Sequence, residues 1–210
     1  MRSHLPIPEF DMRNILIAGW LILPIAAWAY HEGPGQDGQA MDQADAVLVA
    51  AHEAADGGEF KLAVAKYQEA LGLLPKELET PLLRTTENRI KLELNKARML
   101  ASGLPDARED LEVLVEGMMA EPESDPALLA EARQALARAQ FYTTWLMRLE
   151  GQTREVWEPE IEAARQNYRL LAESTTDAAK KEEHAGDLEA AIRLERLAIE
   201  DLQGLPLPSE

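Results

Sequence analysis

Cysteine is absent from the chain, which excludes disulfides, thiol catalysis and thiolate metal sites and leaves the compartment open. Aromatic residues are only 5% of the sequence, and Val, Ile and Thr never alternate over a strand-length run, so a sheet has no foundation. Basic residues are few, 21 against 38 acidic ones, and the formal charge of −17 repels nucleic acid and anionic membrane surfaces. No local basic patch offsets it. Serine is scarce, and no GxSxG, phosphate-loop or dinucleotide glycine pattern occurs. The four histidines, His4, His31, His52 and His184, stand far apart and outside any metal-ligand spacing. The acidic pairs read as solvated helix faces or as partners of a base one turn away, as with Glu93 and Lys96. The expectation is therefore no enzyme, no cofactor and no metal.

What remains is 46% hydrophobic residues in 210, dominated by Ala and Leu, with Gly and Pro gathered in clusters. That is enough to bury a core in one or two domains, and it is an all-α composition.

One long hydrophobic run exists. Residues 15–30, ILIAGWLILPIAAWAY, carry no charge, come after Arg2 and Arg13, and precede a stretch without Lys or Arg as far as Lys61. The positive-inside rule then expects the chain beyond residue 30 to be exported. Two outcomes stay open. As a single-pass membrane anchor, sixteen helical residues reach about 24 Å against a hydrocarbon core of about 30 Å. As a signal peptide, Pro24 would break the helix and Ala27-Trp28-Ala29 would present small residues for cleavage after Ala29, giving a periplasmic or secreted product. Initiation at Met12 would shorten the leader. Residues 1–30 form this segment, and residues 31–41, rich in Gly around Pro34, read as a flexible linker.

Residues 42–203 read as one helical domain, with 204–210 as a tail. The spacing predicts a first helix over 42–57 with Asp42 as its cap. Its pattern leads into Gly58 to Pro75, GEFKLAVAKYQEALGLLP. There Ala63 and Ala70 are small enough for a neighbouring helix to approach, Tyr67 fills the gap between them, and Pro75 ends the helix. The same offsets of zero, four and seven return at Ala107, Leu111 and Leu114, at Ala164, Tyr168 and Leu171, and at Ala191, Glu195 and Ala198. Between them the pattern expects helices over 83–101 and 127–150, a loop over 152–159, and a short polar helix over 176–185 separated at Gly186 from the last copy.

The set Gly58, Glu59, Phe60, Ala63, Tyr67, Ala70 and Pro75 resembles the second half of a tetratricopeptide (TPR) repeat. The first helix matches less closely, with Ala51 at the small-residue position but Val47 and Ala54 where the family places aromatics. The resemblance implies an antiparallel helix-pair solenoid behind the N-terminal hydrophobic helix, and a binding surface on the first helix of each pair. Carried over in register, that partner-binding surface comprises Asp45, His52, Arg89, Lys96, Arg138, Trp145 and Arg148. Trp145 with its arginines reads either as a binding hot spot or as a core Trp between helices. The functional expectation is an exported, membrane-anchored scaffold that holds an envelope or membrane protein. A self-assembling helical protein is the alternative from another class, with homo-oligomers as its product. An all-α enzyme would need a pocket of convergent polar groups.

Overall fold

The computed structural model describes residues 34–75 and 80–202, with the isolated positions 20 and 208. Among the described residues there are seven helices, one 3-10 turn and no strand: α1 Pro34–Asp56, α2 Phe60–Leu73, α3 Pro81–Leu100, α4 Leu104–Ala120, α5 Pro126–Leu149, α6 Arg154–Ser174 and α7 Ala178–Arg196, then the turn Ile199–Leu202. The all-α expectation is met.

Local chemistry accounts for the boundaries. α1 ends through Gly58, whose φ of 75° lets its N–H and that of Glu59 turn back onto the carbonyls of Ala55 and Ala54. Thr80 caps α3 by accepting from Leu83 N at 3.2 Å, with Pro81 beginning the helix. Asp125 does the same for α5, accepting from Ala127 N at 2.9 Å ahead of Pro126. Asp177 caps α7 through Ala179 N at 2.9 Å.

Each helix packs on the one before and the one after, and α3 also touches α5. Three apolar clusters result. The first joins Ala51 of α1 and Tyr67 of α2 to Ile90 and Leu94 of α3. The second joins Leu92 of α3 and Leu111 of α4 to Leu128 and Leu136 of α5. The third joins Phe141 of α5 and Ile161 and Tyr168 of α6 to Leu194 of α7. Every cluster thus takes three successive helices, and α3 and α5 each bury two faces. Three of the four recurring sets fall inside: Ala63, Tyr67 and Ala70, Ala107, Leu111 and Leu114, and Ala164, Tyr168 and Leu171 are all buried, whereas in the fourth Ala191 is buried but Ala198 is exposed beyond the end of α7.

The structure departs from the sequence expectation at four further places. Positions 34–41, read as linker, are the opening turns of α1, and Asp42 lies inside that helix rather than capping it. The loop over 152–159 is shorter, because α6 begins at Arg154 and carries Pro159 as its sixth residue, where proline removes only one helical hydrogen bond. The separate helix over 176–185 does not exist. α7 runs unbroken through Gly186, since a lone glycine weakens a helix by about 1 kcal/mol without stopping it.

Among the described residues no helix is long and apolar enough to cross a membrane. The run 15–30, on which the export expectation rests, lies outside them except for Trp20, as do residues 31–33 of the expected linker and most of the 204–210 tail.

Candidate partner-binding surface

The seven expected surface residues lie on α1, α3 and α5. Asp45 and His52 are exposed on α1. The His52 ring meets Tyr67 edge to face at 5.5 Å, and its Nδ1 lies 2.7 Å from the Leu48 carbonyl. Arg89 is exposed on α3 and faces Glu131 of α5 at 4.0 Å. Lys96, one heptad on, is held by Glu93 at 2.9 Å.

The α5 residues behave differently. Arg138 is half-buried, and its Nε has no hydrogen-bond partner. Trp145 is half-buried against the third cluster and meets Phe141 edge to face at 6.1 Å, which favours the core reading. Arg148 is only 7% exposed. Its guanidinium donates to the Leu194 and Leu197 carbonyls at the end of α7 and lies over the Trp157 ring at 4.9 Å. Burial first, and then Arg154, hold that guanidinium below the usual arginine value. Arg148 therefore caps the last helix from within and is not free to meet a partner. Its placement on the surface is corrected on that ground.

Two of the seven residues come together. His52 of α1 and Arg89 of α3 line a groove of about 260 Å³ between those helices, with Leu48, Leu82, Thr85, Thr86, Ile90 and Glu93 around them and Tyr67 at its floor. Leu82 stands at this groove while 74% exposed. The Tyr67 hydroxyl is pushed up to about 12, by burial first and then by the charges of Glu93 and Asp56. Leu82 and the two threonines escaped the sequence reading because the family register selects one residue per heptad, whereas a groove collects its neighbours too.

A larger groove, about 990 Å³, opens between α2 and α4 above α3. Arg84, Lys91 and Arg98 mark its α3 wall one heptad apart, and Val113, Gly117 and Met118 its α4 wall. Its cations are already occupied: Arg84 by Glu121, Lys91 by Glu87 at 2.6 Å and Arg98 by Asp110. The smaller groove keeps Arg89 in the weakest of these pairings beside an uncovered leucine, which gives it the more available donors. No family model, no curated protein and no solved structure matches the chain.

Proposed function

We propose that the chain is an exported scaffold of the TPR kind, tethered to a membrane by residues 15–30, that holds a protein partner on the face formed by α1 and α3. The observation that carries this reading is the groove where His52, Arg89 and the exposed Leu82 meet. An apolar slot of about 260 Å³ accepts one or two aliphatic side chains, and Arg89 beside it suits a carboxylate. Three helix pairs, each burying the same small-large-aliphatic spacing and each packed against the helix that follows it, support a stacked-repeat arrangement. No catalytic role is proposed.

The test is co-purification from native membranes with the full chain as bait, comparing the parent with a Leu82→Glu, Arg89→Glu double variant. Loss of a specific companion protein from the variant is the expected result. An unchanged set of companions removes the groove as the binding site. Intact mass of the native protein bears on the tether: a chain beginning at Tyr30 would be released rather than anchored.

A further inference from the structure

The third cluster has a polar edge that partner binding does not use. Glu183, His184 and Asp187 of α7 each bring a donor atom into a group in which all lie within 4.8 Å of one another. His184 and Asp187, three apart on the helix, share its inward face and are 6% and 4% exposed. Glu183 is exposed, and its carboxylate reaches α5 by accepting from Gln134 Nε2 at 3.1 Å.

One member of the group is an orphan: His184 Nδ1 is buried and has no hydrogen-bond partner. A buried polar atom left unpaired is costly, and one that sits in a group of ligand atoms calls for an occupant, a water or an ion.

The geometry points to a divalent first-row transition-metal ion of the zinc class, ligated by His184, Asp187 and Glu183 with water completing its shell. One imidazole with two carboxylates is a donor set that zinc accepts and that magnesium and calcium, which prefer oxygen alone, do not. Ligands about 2.1 Å from a tetrahedral ion stand about 3.4 Å apart, so the donors must close by roughly an ångström. Glu183 has the room to make that movement. Because Glu183 is tied to Gln134, an ion here would fix the polar first half of α7 against α5.

The experiment uses the untagged full chain, freed of metal by a chelator, titrated with zinc while the melting temperature and binding heat are measured, and with cobalt while the visible spectrum is recorded. Expected are one saturable equivalent, a higher melting temperature, and affinity at least tenfold weaker in His184→Gln and in Asp187→Asn, with circular dichroism confirming that both variants fold. Tyr168→Phe keeps the ligands and should keep the affinity, and magnesium should not compete. Absence of saturable binding in the parent would leave a buried water as the occupant and overturn the proposal. Equal zinc affinity in the parent and the two folded ligand variants would also overturn it, since scattered surface carboxylates would then be the binders.

Discussion

Arg148 and Tyr67 show how single side chains carry more than their residue type announces. Arg148 places a cation at the C-terminal end of α7, where unpaired carbonyls and the helix dipole favour it, and does so from a helix that ends forty-odd residues earlier. Replacing it with Leu keeps the apolar contact with Trp157 and removes the charge-assisted hydrogen bonds. The expected loss is about 2 kcal/mol by denaturant unfolding. A loss below a few tenths would mean that water satisfies those carbonyls equally well. Tyr67 makes stability depend on pH. Its folded hydroxyl, held up at about 12 against an ordinary 10.0, keeps its proton where the unfolded chain has released it. Its contribution is therefore whole below pH 10 and is lost as the pH rises toward 12. Thermal melts across that interval should fall less steeply for Tyr67→Phe than for the parent.

At the scale of the element, two glycines with similar flanks do opposite things. Gly58 sits before Glu59 and Phe60 and turns the chain at φ 75°, whereas Gly186 sits before Asp187 and Leu188 inside an uninterrupted helix. An added Cβ would meet nothing within 4 Å at either position, so backbone conformation alone separates them. Gly58→Ala should destabilise by about 1 kcal/mol because an L-residue resists that φ, and Gly186→Ala should stabilise by about the same amount. Opposite signs in paired denaturant curves are the expected outcome. The same contrast explains what the sequence made legible. Period and punctuation were enough to place α2 to α5 within a few residues, since Thr80, Asp125 and the prolines next to them are local signals. Whether a glycine ends a helix is not a local signal: Asp177 caps the start of α7 nine residues before Gly186, and the helix then runs through that glycine. His52 and Arg89 were both named from the family register, but that they line one groove was not legible, because they lie on α1 and α3 and only the packing of those helices brings them together. The burial of Arg148 was not legible either, because its acceptors lie on α7. Nor was the pairing of Asp187 with Glu183 beside His184, since acidic residues crowd most of these helices and only burial sets one apart from the rest.

Across the whole molecule the apolar contacts are sequential. Phe141 belongs to the cluster of α5, α6 and α7, has edge contacts with Tyr142 at 5.7 Å and Trp145 at 6.1 Å, and shares no cluster with α1 or α2. The polar ties between helices two apart are local: Arg89 with Glu131, and Arg108 with Glu160 at 2.7 Å. Partly exposed pairs of this kind contribute about 0–1 kcal/mol each, too little to make a chain of three clusters melt as one when a single cluster is weakened. Phe141→Ala removes a fully buried ring and should cost about 3–5 kcal/mol within its own cluster. In native-state hydrogen exchange, the amides of α6 and α7 should then lose protection by a factor of a hundred or more, by the usual conversion of about 1.4 kcal/mol per tenfold. Those of α1 and α2 should keep the parent's rates. Equal loss of protection from α1 to α7 would mean that α3 and α5, each buried on two faces, couple the clusters into one cooperative unit, and the sequential picture would fail.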